Sequence, residues 1–366
     1  MSFYLFCLSF VATLLFCKIF LHIGNFKRTQ EGHDTSNKAG LAVTASIILG
    51  WILLQASSSI FCFPFKNLTF GLYPFLIAAA ALSMYSIRKG KVHRFWVYFF
   101  VTLISVMFIP EDTLVFNGIF PLFDDRYLTA LLWAGFIAVY ARMDKLNGAT
   151  VIQTSTLSLA FSLFPLVTAR AATYSVEFCY YPMIILAGLI TFIHYKRYVP
   201  EASLGRTGST PLGYLMGLFF VLLAIKGYWM AFIVMPTYYY FEFIYSSINK
   251  FIHRGMPEPE PTSFLFFTSW IVRRNLNVTG LSKFLFKVML GFALIGVVLN
   301  SSIHAMLGFD LVLFLCTMYY MFYWGRAKVP YRTMFRDAKD AIQQVSGNVK
   351  DSVNTVSTYI KDKNKK

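Results

Sequence analysis

The sequence predicts an all-α membrane protein of about eleven transmembrane helices, followed by a C-terminal amphipathic helix. Three observations predict it. Of the 366 residues, 57% are hydrophobic and only 14% are charged, whereas soluble domains sit near about 45–50% and about 25%. The mean hydropathy is +0.57, with 18% aromatic residues. The apolar residues also come in runs of about 20, the length a helix needs to cross a hydrocarbon core. Backbone groups cannot stay unpaired in hydrocarbon, and runs this long suit helices rather than barrel strands. This composition excludes a soluble enzyme, a disordered chain and a disulfide-stapled secreted domain.

Taken in order, the first run covers 1–23. It lacks a basic leading segment and a small-residue cleavage site, so it reads as a membrane helix rather than a signal peptide. Further runs fall at 41–63, 70–88, 94–110, 127–143, 149–169, 178–195, 211–226, 229–250, 284–303 and 304–324. Very short turns join the two runs within 211–250 and the two within 284–324. Cys7, Cys17, Cys62, Cys179 and Cys316 all lie in apolar runs without a C-x-x-C pair. They read as small buried hydrophobes.

Charge sets the orientation. Of 33 Lys and Arg residues, 28 fall in the connections after the odd-numbered runs and in the C-terminal tail. Only Lys66, Arg126, Arg170 and Lys226 fall on the other side, and Lys18 lies inside a run. The basic side is therefore cytoplasmic, with the N-terminus outside and the C-terminus inside an inner (plasma) membrane. The net charge of +16 reflects this topology and attraction to anionic lipid or a phosphate-bearing substrate, not nucleic acid.

Polar residues in or near the runs are candidates for chemistry. Asp124 and Asp125 read as a solvated outward loop with Glu111 and Asp112. Glu242 is an acid inside a run, which is costly and often functional, or else pairs with Lys250 or a nearby Arg. Asp310 reads as a turn or cap residue beside Gly308. Tyr238–Tyr240 suits an aromatic belt at the membrane interface. Glu258 and Glu260 lie in a Pro-rich linker, and the six histidines are dispersed.

The composition changes after Pro330. Residues 1–325 form the transmembrane domain and 326–366 a cytoplasmic tail. In the tail a doubled 11-mer, Asp340–Lys350 and Asp351–Lys361, gives a nearly straight apolar stripe. Bordered by lysines, this stripe suits a helix lying on anionic lipid or a partner's coiled coil.

The cytoplasmic connections carry a resemblance. Segment 25–43, Asn-Phe-Lys-Arg-Thr-Gln-Glu-Gly-His-Asp-Thr-Ser-Asn-Lys-Ala-Gly-Leu-Ala-Val, resembles the first loop of the polyprenyl-phosphate N-acetylhexosamine-1-phosphate transferases, which include MraY and WecA. Segment 142–149, Arg-Met-Asp-Lys-Leu-Asn-Gly-Ala, is similar to that superfamily's N-x-I-D-G-x-D-G-L loop. Segment 204–213, Leu-Gly-Arg-Thr-Gly-Ser-Thr-Pro-Leu-Gly, resembles its F-x-G-D-x-G-S-x-x-L-G loop. Segment 263–281 stands where the family carries a histidine cluster, an arginine pair and Gly-Leu-Ser. The likeness runs in order through most of the chain to about residue 325.

It implies a bundle like that of these transferases, which move a sugar-1-phosphate from a UDP-sugar to a polyprenyl phosphate with Mg²⁺. A pyrophosphate leaving group needs a cation against its developing charge, and Mg²⁺ takes carboxylate oxygens. Here Tyr85 and Ser86 replace the family's aspartate pair, and Arg206 replaces the metal aspartate of the third loop. Phe264, Phe266 and Phe267 occupy the histidine cluster. Asp144 keeps the acid of the second loop, while Asn147 stands for its second aspartate.

These departures point to a pseudoenzyme. The resemblance implies an anion-binding groove of Arg28, Arg142, Lys145, Asn147, Arg206, Gly208 and Ser209. It would hold a lipid phosphate such as polyprenyl phosphate, or serve a protein partner in envelope glycan assembly. No cofactor is expected. Two alternatives stand beside this reading. One is an active transferase using Mg²⁺, Asp144 as catalytic residue and Glu242. The other is a membrane scaffold or transport component that shares the fold alone.

Overall fold

The computed structural model describes residues 2–23, 33–57, 71–87, 94–110, 115–116, 121–143, 148–167, 176–199, 202–252, 278–299 and 303–327. Arg28, Asp144, Lys145, Asn147, Phe264, Phe266, Phe267 and the tail repeat lie outside these residues. The described residues are all-helical, without strands. The helices are α1 (Ser2–Ile23), α2 (His33–Ser57), α3 (Tyr73–Ile87), α4 (Arg94–Met107), α5 (Leu122–Met143) and α6 (Ala149–Val167). After a 3-10 turn at Val176–Cys179 come α7 (Tyr180–Tyr198), α8 (Gly205–Ile225), the short α9 (Ala231–Val234), α10 (Thr237–Ile252), α11 (Val278–Val298) and α12 (Ile303–Ala327).

Among the described residues, two stretches are long and apolar enough to cross a membrane, Phe3–His22 and Gly205–Ile225. Ala39–Gln55, Tyr73–Ile87, Arg94–Met107 and His304–Tyr320 are apolar but shorter.

Helix α8 is the axis of the bundle. It packs against α2, α3, α5, α6 and α9, and nearly every residue from Gly205 to Ala224 is buried. Small residues let its neighbours approach closely. Gly213 and Gly217 repeat at four-residue spacing, and a Cβ on either would strike Tyr140 or Trp133 of α5. Trp133 instead stacks on Tyr214 at 4.7 Å between ring centroids and donates its indole N–H to the Tyr214 carbonyl at 3.0 Å. Tyr214 in turn shares a 2.6 Å hydrogen bond with Ser105 of α4. On the other side, Phe219 packs edge-on against Trp51 of α2 and Phe178.

The run expected at 211–226 begins six residues earlier. Its polar first turns, Arg206 to Thr210, hid the helix from an apolar-run reading. Pro211 lies inside α8 and has no N–H for the carbonyl four residues back, that of Thr207. Two neighbouring helices supply the missing donor. Ser83 of α3 donates to the Thr207 carbonyl at 2.7 Å, and Thr44 of α2 reaches it at 3.4 Å.

Several expectations are corrected. Asp125 is buried in the first turn of α5, not in a solvated loop. Its carboxylate accepts the backbone N–H groups of Val115 and Phe116 at 3.1 and 2.8 Å, and the neighbouring Arg126 donates to the Ile109 carbonyl at 2.9 Å. Asp310 is not a cap. It lies within α12 and accepts the Thr237 hydroxyl of α10 at 2.7 Å. Tyr238 and Tyr239 are fully buried rather than belted around the outside. Cys17 and Cys179 are buried free thiols, but Cys316 is exposed.

Candidate functional site

The best-defined polar region is the end of the bundle where α8 begins. Gly205 has φ +57°, a left-handed conformation that suits glycine. It turns the chain into the helix so that the Leu204 carbonyl lies directly over Gly40 of α2. A Cβ on Gly40 would collide with that carbonyl and come within 2.6 Å of the Gly208 nitrogen and 2.7 Å of the Thr207 hydroxyl. A Cβ on Gly208 would reach the Gly40 Cα at 2.9 Å. The starts of α2 and α8 therefore meet backbone to backbone, and the C-terminal part of α3 joins them through Ser83.

The first turn of α8 contains no acid, so the positive end of the helix dipole is left uncompensated by its own residues. Arg206 is the exposed residue of that turn, while Thr207, Ser209 and Thr210 are fully buried. Tyr98 of α4 lies beside Thr210, Arg94 and Tyr85. Tyr85 is half-buried, and its hydroxyl has no hydrogen-bond partner. Ser86 donates to the Leu82 carbonyl of its own helix at 2.8 Å.

A second group flanks this one. Arg142, at the end of α5, lies over the Phe243 ring of α10 with its guanidinium carbon 5.2 Å from the centroid, within cation–π range. Gly148, at φ +84° before α6, sits next to the Lys196 ammonium at the end of α7. Thr150 of α6 shares a 3.0 Å hydrogen bond with Tyr239, whose ring meets Tyr140 at 5.0 Å. Tyr238 donates to the buried Glu242 carboxylate at 2.9 Å.

The structure thus brings Tyr85, Ser86, Arg206, Gly208 and Ser209 to one end of the bundle, with Arg142 nearby on α5. It does not give them one role. Gly208 is consumed by contact with Gly40, and Ser209 faces the interior with no partner for its hydroxyl. Of residues 204–213, Arg206 alone is exposed. Tyr85, Ser86 and Arg206 offer hydroxyls and a cation where Mg²⁺ needs carboxylate oxygens, so the described residues here do not fit that ion.

Sequence reasoning missed two features. The bond from Ser83 to the Thr207 carbonyl was signalled by Pro211 within an otherwise helical pattern. The second is a buried polar stripe on α6, with Thr150, Gln153, Thr154, Ser158 and Ser162 spaced three or four apart on an apolar run. Both polar atoms of Gln153 and the hydroxyl of Ser158 have no hydrogen-bond partner. No protein-family model matches the chain, and no curated protein matches it.

Proposed function

We propose that this chain is a multi-pass membrane protein, N-terminus outside and C-terminus cytoplasmic. On this reading it is a catalytically degenerate relative of the sugar-1-phosphate transferases that binds a lipid phosphate at its basic end. What supports the membrane part is the inverted surface. Phe3, Tyr4, Leu8, Val11 and Leu15 on α1, Phe100, Ile104 and Met107 on α4, and Phe309, Val312, Leu315 and Tyr319 on α12 all point outward and are more than half exposed. The hydroxyls of Thr150, Thr154, Thr156 and Ser158 point inward. Soluble monomers rarely expose apolar surface on that scale.

The observation that carries the functional part is the replacement at the start of α8. An exposed arginine stands on an uncapped helix N-terminus, packed against the α3 end that carries Tyr85 and Ser86. Arg206 is exposed, so solvent screening holds its repulsion of a second cation to about 1 kcal/mol or less. It attracts a phosphate by the same amount. The protein would then serve glycan assembly in the cell envelope as a lipid-phosphate holder or as a partner of an active enzyme.

The test uses purified full-length protein, a panel of UDP-sugars, polyprenyl phosphate and Mg²⁺. The expected result is no release of UMP, together with polyprenyl-phosphate binding that weakens several-fold in Arg206→Ala. Mg²⁺-dependent turnover that vanishes in Asp144→Ala would overturn the reading in favour of an active transferase.

A further inference from the structure

A cavity of about 160 Å³ lies between α5, α8 and α9. At about 1.5 Å per residue it runs from roughly 16 Å along α8 from Arg206, at Gly217, to roughly 27 Å, at Ala224, and so lies toward the opposite end of the bundle. Its walls are aromatic, formed by Trp133, Phe220, Trp229 and Phe232, and the Trp133 indole fills the place a side chain at Gly217 would take. Leu132 and Ile233, both about two-fifths exposed, stand at its rim on the apolar outer surface. An opening among outward apolar residues leads toward hydrocarbon rather than water. A cavity of this size with apolar walls excludes water and accepts a hydrocarbon guest.

One wall atom is polar and unsatisfied. Thr129 is 3% exposed, and its hydroxyl has no hydrogen-bond partner. Other helical threonines here donate to the carbonyl four residues back, as Thr13, Thr44, Thr102 and Thr154 do. Thr129 makes no such bond, although it lies inside α5. A buried hydroxyl left unmatched costs about 1–3 kcal/mol, so its place in the wall points to an acceptor supplied by the occupant. Thr129 lies seven residues, roughly 10 Å, from the start of α5. That depth is close to the boundary between headgroup region and hydrocarbon, where glycerophospholipids carry their ester carbonyls.

We propose that the cavity holds the first few carbons of one acyl chain of an outer-leaflet glycerophospholipid, with its ester carbonyl accepting a hydrogen bond from Thr129, the rest of the chain lying on the apolar outer surface. The segment lies among the rings of Trp133, Phe220 and Trp229. This inference rests on the membrane reading above and is independent of the phosphate site.

The protein is reconstituted into vesicles of phosphatidylcholine and phosphatidylglycerol, extracted with mild detergent and weighed by native mass spectrometry. Wild type is expected to retain one phospholipid. Ala224→Phe, which fills the cavity, should lose it at least tenfold. Thr129→Val, of the same shape and expected to fold normally, should weaken retention roughly two- to tenfold, the worth of one hydrogen bond. A parallel reconstitution in phosphatidylcholine with brominated chains reads tryptophan quenching. The half-exposed Trp96, isolated by difference against Trp96→Phe, reports whether the bundle is in the bilayer at all. Quenched Trp96 with no phospholipid retained, or with retention unchanged in both variants, overturns the cavity assignment alone. Retention of added polyprenyl phosphate in place of phospholipid overturns the choice of chain. Unquenched Trp96 overturns the membrane reading and this inference with it.

Discussion

Pro211 deprives Thr207 of its intrahelical partner, and Ser83 replaces it from a different helix. The replacement makes a quantitative prediction. Ser83→Ala removes the 2.7 Å bond to the Thr207 carbonyl, which Thr44 reaches at 3.4 Å. Ser83 and Thr207 are both buried, so water does not compensate. A buried acceptor that loses such a donor costs about 1–3 kcal/mol, and the deleted hydroxyl leaves little empty volume, so the lost bond sets the loss. The decisive measurement is the same substitution in a Pro211→Ala background. Alanine restores an N–H at position 211, and a relaxed α8 can then close the ordinary bond to Thr207. There Ser83→Ala should cost less than about 1 kcal/mol, giving a coupling of roughly 1–2 kcal/mol between residues on different helices.

The buried thiols Cys17 and Cys179 supply the readout, since a thiol-reactive fluorogenic dye reports their exposure on heating in detergent. For a chain of this size, 1 kcal/mol moves the midpoint by roughly 2 °C. Ser83→Ala should therefore lower the midpoint by roughly 2–6 °C. An equal drop in both backgrounds would refute the reasoning, because Ser83 would then act by packing and not by satisfying the proline's orphan.

Substitutions at four other positions follow from the same geometry and the same assay. Gly40→Ala should lower the midpoint more than Ser83→Ala, because two of the three atoms its methyl meets are backbone and overpacking typically costs about 1–3 kcal/mol. Gly135→Ala, where a Cβ meets nothing within 4 Å, should be neutral or stabilising by up to about 1 kcal/mol from helix propensity. Asp125→Ala strips two backbone N–H groups of a charged acceptor and should cost about 2–4 kcal/mol, with earlier proteolysis near residues 115–116 as a second readout. Glu242→Gln keeps an acceptor for Tyr238, so it should lower the midpoint less than Glu242→Ala does. Glu242→Ala, which takes that acceptor away, should lower it.

How much was legible in the sequence depended on which property each residue used. Helix α3, expected at 70–88, was found at Tyr73–Ile87 because an apolar run of that length with few polar interruptions reads as a helix. The start of α8 was not legible by that route, since Arg206, Thr207, Ser209 and Thr210 look like a loop until three neighbouring helices surround them. Asp125 and Asp310 misled for a related reason. A carboxylate near the end of an apolar run suits solvent equally well, and only the fold brings the N–H groups of Val115 and Phe116, or the hydroxyl of Thr237, to meet it. In the candidate site the sequence singled out Tyr85, Ser86, Arg206, Gly208 and Ser209 by motif position, and the fold does place them at one end of the bundle. It could not show that Gly208 is spent on helix contact while Arg206 is free, because that division depends on Gly40, about 170 residues away in the chain.

The division matters for what the start of α8 can do. Contact between Gly40 and Gly208 fixes the backbone on both sides of Arg206, and the bonds to the Thr207 carbonyl fix the residue after it. The Cα of Arg206 is therefore held by three helices, and only its side chain can move. A long flexible cation on a rigid base can follow a phosphate headgroup over several ångströms without disturbing the bundle. A metal site would instead need several oxygen ligands converging at fixed distances. The mobility of a single arginine suits holding an anion that arrives on a diffusing lipid. The packing beneath it is stiff enough that substituting Arg206 should change binding and leave the thermal midpoint where it was, whereas substituting Gly40 should change both.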